Sequence, residues 1–298
     1  MHARHLLSAA LLSASLATAT APAAWAAPAA PQAVTSANWS GYVAQSKSGD
    51  GFSSVSGSWV EPSTNCSRGA GHASFWVGLG GSGQTSQSLE QVGTATDCNG
   101  GGGAAHYAWY ELVPAAPVQL RLAISPGDYL TGTVSVQGTT VTVSLSNATT
   151  HQSATKTLQM DNPDVSSAEW IAEAPSRCDQ TGNCQPLPLG DFGKVHFSSA
   201  SATSDGHTGT ISDPFWTTQP VALSGNAGGF VADESSGSAQ PTDLSDDGSA
   251  FSVSYVSGSN ASPTASGPSG PGTGDAAGGV AYACVPSSAG WVCGFVSG

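Results

Sequence analysis

The sequence predicts an all-β protein built as an antiparallel β-sandwich. From about residue 34 to residue 257, short apolar runs alternate with Gly, Ser, Asn and Asp turns, and none keeps a helical period. The chain of 298 residues contains 38 glycines and 18 prolines, which favour turns between strands. Many short strands at regular spacing are typical of a sandwich, and this length suits one large domain.

The predicted strands are rich in Val, Thr, Ser, Tyr and Trp, the residue types that favour strands. Val141, Val143 and Leu145 alternate strictly with polar residues, as expected for a strand with one buried face. In chain order the predicted strands are Trp39–Val43, Val55–Val60, Ser74–Leu79, Leu89–Val92, His106–Val113, Val118–Ile124, Tyr129–Gln137, Thr140–Leu145, Ser166–Glu173, Val195–Phe197 and Phe251–Val256.

The N-terminal residues 1–26 are predicted to be a signal peptide. Arg4 gives a charged start, Leu6–Ala17 an apolar run, and Ala24-Trp25-Ala26 a small-x-small cleavage site. The apolar run is too short to anchor the chain in a bilayer. We therefore expect a secreted, extracellular protein with no membrane partner, in which a short Pro/Ala leader over residues 27–33 precedes the sandwich domain of residues 34–257.

The chain after the sandwich changes composition twice. Residues 258–279 are rich in Gly, Ser and Pro and are predicted to be a flexible linker. Residues 280–298 are apolar again and form a C-terminal tail that contains Cys284 and Cys293. This tail is interpreted as a disulfide hairpin that docks on the sandwich.

Six cysteines follow the predicted cleavage site, an even number that indicates disulfides in an exported chain. Fifteen pairings are possible for six cysteines. Short spacing favours Cys178/Cys184 and Cys284/Cys293 as local loops, with Cys66/Cys98 as the remaining pair. No cysteine cluster has the spacing of zinc ligands, so we expect neither a metal nor a cofactor.

The charge balance is strongly acidic. Seven Lys and Arg stand against 20 Asp and Glu, for a formal net charge of −13. A shortage of basic residues disfavours nucleic acids and anionic membranes as partners. It also limits the cationic self-repulsion that unfolds proteins in acid, so we interpret it as adaptation to acidic surroundings. Sharp unfolding between roughly pH 3 and 5 would contradict that hypothesis.

Strand alternation places several acids and tryptophans on sheet faces. Glu169 and Glu173 share one face of Ser166–Glu173, where burial would raise a carboxyl pKa and prepare it for acid or base chemistry. An isolated Glu on a strand is more often simply solvated. Trp76 is predicted to lie on the more open face of its strand, and Gln91 to be partly buried.

Six segments, in the same order along the chain, resemble those of the glutamic peptidases, or eqolisins. They are Asn38-Trp39-Ser40-Gly41, Phe75-Trp76-Val77-Gly78-Leu79, Leu89-Glu90-Gln91-Val92-Gly93-Thr94, Ala108-Trp109-Tyr110-Glu111, Ala168-Glu169-Trp170-Ile171-Ala172-Glu173 and Asp247-Gly248-Ser249-Ala250-Phe251-Ser252-Val253-Ser254-Tyr255. The resemblance covers about Ser36 to Val256, which is most of the mature chain.

The resemblance implies a concanavalin-like or jelly-roll-like sandwich of two large curved antiparallel sheets with a concave substrate cleft. It implies an endopeptidase that acts on polypeptides in acid through a Gln/Glu dyad. We expect the protein to be a monomer, although the sequence leaves the oligomeric state open. Gln91 and Glu169 fall on the catalytic positions of that dyad. Substrate-binding positions around it match Trp39, Trp76, Trp109 and Glu111.

Amide hydrolysis by water fits this pair of residue types. It needs a base for the water, an acid for the leaving amine and a donor for the oxyanion. Glu169 is assigned as base and then acid, so activity should fall below its pKa. The Gln91 amide orients the water and binds the oxyanion. Tyr107 and Gly80 stand where fungal members of the family carry acids, which implies different subsites or a less acidic optimum.

The alternative is a secreted carbohydrate-active sandwich, either a glycoside hydrolase or a non-catalytic binding module. Glu111 and Glu169 would be the carboxylate pair of a glycosidase, and the tryptophans would stack on sugar rings. Replacement of Gln91 by Ala should abolish a glutamic peptidase and cost a glycosidase less. A binding module would turn over no denatured protein at any pH.

Overall fold

The computed structural model describes residues 32–47, 51–82, 86–98, 103–178, 184–224, 237–257, 281–287 and 290–296. For residues 178, 184, 281–287 and 290–296 it describes the backbone only. The predicted signal peptide, most of the leader and the predicted linker lie outside the described residues. Their assignments remain predictions.

The described residues fold into β-strands, with one short 3₁₀ turn at Cys66–Arg68. The strands are β1 (Val34–Ser36), β2 (Trp39–Ser46), β3 (Phe52–Val60), β4 (Gly71–Gly80), β5 (Leu89–Cys98), β6 (Ala104–Val113), β7 (Val118–Gln119), β8 (Tyr129–Gln137), β9 (Thr140–Asn147), β10 (Gln152–Gln159), β11 (Ser167–Glu173), β12 (Ser176–Cys178), β13 (Cys184–Pro186), β14 (Lys194–Ser204), β15 (His207–Gly209), β16 (Trp216–Leu223), β17 (Ser238–Pro241), β18 (Phe251–Val256), β19 (Ala281–Ser287) and β20 (Gly290–Val296).

Most of these strands belong to one large sheet. Its order is β10-β9-β8-β3-β14-β18-β17-β16-β2-β11-β4-β5-β6-β7, and neighbours along this path are antiparallel. At its sides β1 pairs parallel with β16, and β15 pairs with β14. A second, four-stranded sheet has the order β13-β12-β19-β20.

The large sheet curls so that its two halves bury a common core. Trp59 of β3 and Phe197 of β14 come from one half, and Phe75 of β4 and Trp170 of β11 come from the other; all four belong to one buried cluster. Two indoles bond across the halves: Trp59 Nε1 donates to Thr94 Oγ1 at 3.0 Å and Trp170 Nε1 donates to a β3 carbonyl at 2.8 Å. The predicted antiparallel sandwich is confirmed, with hydrogen bonds joining its two layers into one curled sheet.

The opposite face of β2, β11, β4, β5 and β6 carries a second apolar cluster. Ile171 of β11 lies in it, while Ala168 and Trp170 lie in the main core, as the alternation of β11 predicts. The prediction of an open face around Trp76 is wrong, because Trp76 is fully buried in the second cluster. Its indole packs edge-on against Trp39, with ring centroids 5.1 Å apart.

Each predicted strand overlaps an observed one, but two kinds of segment were misjudged. Of the predicted strand Val118–Ile124, only Val118–Gln119 pairs as a strand, and the following apolar side chains pack into the core from a loop. The polar strand β10 and the proline-containing strand β16 were not predicted. β10 is an edge strand that contributes little to the core, so it lacks the apolar alternation that reveals a strand.

The expected Cys66–Cys98 disulfide is present and ties the 3₁₀ turn to the end of β5. The side chains of the other four cysteines lie outside the described atoms. Their backbone registers place Cys178 opposite Cys184 and Cys284 opposite Cys293. The tail therefore contains the antiparallel hairpin β19–β20, and the disulfides Cys178–Cys184 and Cys284–Cys293 remain predictions.

Candidate active site

Sheet register aligns polar residues on the face that carries the second apolar cluster. Glu169 of β11 lies opposite Gly78 of β4, Gly78 lies opposite Gln91 of β5, and Gln91 lies opposite Glu111 of β6. Two residues make a parallel row further along the strands: Glu173 lies opposite Ser74. Directly opposed residues point to the same side of a sheet, so these carboxyl and amide groups share one face.

A cavity of about 360 Å³ opens on this face. It is lined by Gln91, Trp109, Glu111 and Glu173. Its other lining residues include His72, Asp97, Tyr107 and Arg177. The cavity thus brings residues from β4, β5, β6, β11 and β12 into contact with one space.

Gln91 is fixed by Glu111. Gln91 Nε2 donates to Glu111 Oε2 at 2.7 Å, and both side chains are almost fully buried. Burial raises the pKa of Glu111 well above its ordinary value, the charge of Glu173 raises it further, and the Gln91 hydrogen bond opposes the shift. Gln91 Oε1 has no hydrogen-bond partner in the described part of the chain, so it remains able to accept one from a water.

Glu173 accepts hydrogen bonds from two side chains. Trp76 Nε1 donates to Glu173 Oε2 at 2.7 Å, and Asn38 Nδ2 donates to Glu173 Oε1 at 2.9 Å. Desolvation raises the pKa of Glu173 to about 7, against the lowering effect of these hydrogen bonds. Its carboxyl is therefore neutral in acid and changes charge near neutrality.

Glu169, the carboxyl expected from the sequence, is not among the residues that line this cavity. It is 0% exposed, and neither carboxyl oxygen has a hydrogen-bond partner in the described part of the chain. Desolvation raises its pKa well above the ordinary value; the nearby Ser167 hydroxyl opposes this shift, and Asp164 and Glu90 raise the pKa further. Glu169 therefore belongs to a buried acidic group at the other end of β11, and the structure brings Glu173 rather than Glu169 together with Gln91.

The predicted substrate-binding residues separate into two groups. Trp109 and Glu111 line the cavity, as expected for such a role. Trp39 and Trp76 are packed in the second apolar cluster instead. Trp76 acts on the site indirectly, through its hydrogen bond to Glu173.

Sequence reasoning missed Glu173 and Asn38 as site residues. Glu173 lies in the same matched segment as Glu169 and on the same face, four positions away. Spacing alone cannot decide between two such carboxyls. The contact that distinguishes Glu173 exists only in the fold, where β11 pairs with β2 and Glu173 lies opposite Trp39.

The described residues contain no group of three or more His, Cys, Asp or Glu arranged to hold a metal ion. No helix among them is long and apolar enough to cross a membrane.

Comparisons with known proteins agree with this architecture. The Peptidase A4 family matches residues 37–234. Aspergillopepsin-2 of Aspergillus niger is 31% identical over 203 residues, which cover 60% of this chain and 68% of that protein. The structure of scytalido-glutamic peptidase with a peptide-based transition-state analogue is 27% identical and superposes with a TM-score of 0.59, covering 74% of this chain and 98% of the other.

A second eqolisin structure, that of SCP-B in complex with a tripeptide, is 26% identical with a TM-score of 0.56, over the same shares of the two chains. These likenesses span the sandwich and its cavity and favour a peptidase over the carbohydrate-active alternative. The chain belongs to the Peptidase A4 family and is a glutamic endopeptidase.

Proposed function

We propose that the protein is a secreted endopeptidase that hydrolyses polypeptides in acid, with the attacking water held between Gln91 and Glu173. The observation that carries this proposal is the shared cavity, in which Gln91 and Glu173 are exposed to the same space while Glu169 is not. Glu111 connects the two, since it accepts a hydrogen bond from Gln91 and its pKa responds to Glu173.

The protonation state of Glu173 decides how it enters the reaction. Its pKa of about 7 means that the carboxyl carries a proton at the acid pH of the proposed activity. A neutral carboxyl has one oxygen that donates and another that accepts. Glu173 can therefore give its proton to the substrate carbonyl oxygen while its second oxygen takes a proton from the attacking water.

This exchange produces a neutral tetrahedral intermediate and returns Glu173 to its protonated form. In the second step Glu173 gives a proton to the leaving nitrogen and takes one from a hydroxyl of the intermediate, so that the C–N bond breaks to an amine and a carboxylic acid. Each step moves one proton in each direction, so no charge is left in the buried site.

Gln91 supplies orientation without charge. One N–H of its amide is used by Glu111, which leaves the other for the oxygen of the tetrahedral intermediate. Its unpartnered Oε1 can accept a hydrogen from the water. Trp76 and Asn38 hold Glu173 in place through their hydrogen bonds to its two oxygens.

Secretion is supported by two features. The N-terminal segment has the charged start, apolar run and cleavage site of a signal peptide. The Cys66–Cys98 disulfide is of a kind that persists in oxidising compartments.

Digestion of denatured casein by the purified mature chain between pH 2 and 8 tests the proposal. We expect cleavage in acid and a decline as the pH rises through about 7, where Glu173 loses its proton. Gln91→Ala should lower kcat/KM by about 100-fold or more while the circular dichroism spectrum is unchanged. Intact casein at every pH, or full activity in the folded Gln91→Ala variant, would overturn it.

A further inference from the structure

Part of the cavity carries basic groups that the catalytic scheme does not use. His72 of β4, Asp97 of β5 and Arg177 of β12 all line it. We call this part the basic end of the cavity. The chain has only seven Lys and Arg in total, and one of them, Arg177, lines the cavity.

His72 and Asp97 form a pair, in which His72 Nδ1 lies 2.7 Å from Asp97 Oδ1. The two side chains are 18% and 25% exposed, so both reach the cavity surface. Because Nδ1 is used by Asp97, Nε2 is the His72 ring nitrogen left for a ligand. Arg177 has no ion pair in the described part of the chain, and its side chain is exposed.

The cavity carries a fixed positive charge at Arg177. A guanidinium is always cationic, and His72 adds a ring N–H donor beside it. Burial raises the pKa values of Glu111 and Glu173, which makes both carboxyls neutral in acid. A chain with a formal net charge of −13 at pH 7 therefore presents a basic pocket to its substrate.

The position of the basic end relative to Glu173 follows from the strands. Ser74 lies opposite Glu173, and His72 lies two positions from Ser74, about 7 Å along β4. Arg177 follows Glu173 by four residues, at most about 14 Å away. An extended peptide advances about 3.4 Å per residue, so two to four of its residues span this interval.

We propose that the basic end is a subsite for a substrate carboxylate two to four residues from the cleaved bond, recognised by Arg177 and His72. The carboxylate is either an Asp or Glu side chain or the C-terminal carboxylate of a peptide. This inference rests on the proposed function, and it assigns the substrate class: peptides with an acidic group on one side of the scissile bond.

The test is cleavage at pH 5, where most substrate carboxylates are ionised. One set of peptides, blocked at both ends, carries a single Asp or Asn at each position from two to four residues on either side of the cleaved bond. A second set lacks internal acids and ends either in a free carboxylate or in an amide at the same distances. The two sets distinguish a side-chain carboxylate from a terminal one.

We expect one position, on one side only, at which the acidic peptide has a kcat/KM about fivefold above its neutral partner, as for an ion pair at a partly exposed site. Arg177→Gln should remove this preference by lowering kcat/KM for the acidic peptide towards that for its neutral partner. Arg177→Lys should restore part of it. Arg121→Gln is the matched control, because Arg121 is exposed and does not line the cavity.

Equal rates for acidic and neutral peptides at every position, or a preference that survives in Arg177→Gln, would overturn the inference while the proposed function stands. Failure of the wild type to cleave even neutral peptides would overturn the proposed function itself. The two failures are therefore distinguishable in one experiment.

Discussion

Replacement of Glu90 by Gln should make the protein more stable at neutral pH and leave it nearly unchanged in acid. Glu90 is 0% exposed; its Oε1 accepts a hydrogen bond from the Asp164 backbone N–H at 3.3 Å, and its Oε2 has no partner in the described part of the chain. Desolvation raises its pKa from 4.5 to about 9. A Gln has the same shape, keeps the acceptor and carries no charge.

The sign and size follow from proton binding. The folded-state pKa is above the unfolded value, so the folded protein keeps a proton that the unfolded chain loses above about pH 4.5. Each further pH unit then lowers the free energy of unfolding by about 1.4 kcal/mol. Between pH 4.5 and 7 the wild type loses about 3 kcal/mol through Glu90, and Glu90→Gln avoids that loss.

Urea unfolding at pH 4, 5.5 and 7 measures this difference. The stability of Glu90→Gln should match that of the wild type at pH 4 and exceed it by about 3 kcal/mol at pH 7. Asp161→Asn, which changes an exposed carboxyl, is the control and should parallel the wild type. If Glu90→Gln also parallels the wild type at all three pH values, Glu90 is not held protonated by the fold and the reasoning is refuted.

Two further predictions concern the site and the disulfide. Trp76→Phe removes the donor to Glu173 Oε2 and so raises the Glu173 pKa above about 7. The alkaline limb of the pH–activity profile should therefore move up by about one pH unit. If that limb does not move, Glu173 does not set it. The double variant Cys66→Ser/Cys98→Ser opens a loop between cysteines that are 32 positions apart. It should lower the free energy of unfolding, measured by urea titration, by about 3–4 kcal/mol. An unchanged free energy would mean that the disulfide does not constrain the unfolded chain.

The fold could be predicted from the sequence to the level of a sandwich because its buried strands alternate clearly. β9 shows the pattern: Val141, Val143 and Leu145 enter the core while the residues between them face outward. The closure of two layers into one sheet could not be predicted, since it depends on hydrogen bonds between strands far apart in the chain. β10 was missed because this edge strand is mostly exposed, and only Ala154 and Leu158 are half-buried, so it has no clear hydrophobic period.

The sequence predicted Gln91 and Glu169 as the catalytic pair, whereas Glu173 is the β11 carboxyl that lines the cavity with Gln91. Strand alternation assigns Glu169 and Glu173 to one face but says nothing of which one borders a cavity. The side chains of Asn38 and Trp76 donate to Glu173 and hold it at the cavity. Glu169 lies instead beside Glu90, in a buried acidic group. These contacts join residues more than 70 positions apart, so no local pattern records them.

Several buried carboxyls provide a structural reason for the adaptation to acid that the composition predicts. Desolvation raises the pKa values of Glu61, Glu90, Glu111, Glu169 and Glu173. Each is uncharged in the folded protein at low pH, where its burial destabilises the fold least. As the pH rises, each lowers the free energy of unfolding. The same groups that tolerate acid should therefore limit stability near neutrality.

The most direct measurement compares kcat/KM of Glu173→Gln and Glu169→Gln on one peptide at pH 4. Both side chains are buried carboxyls on β11, so the two variants differ in position rather than in chemistry. The proposed Gln91–Glu173 pair predicts a loss of about 1,000-fold for Glu173→Gln and a change of less than about threefold for Glu169→Gln. The opposite ranking in two folded variants would contradict it and return the catalytic role to Glu169.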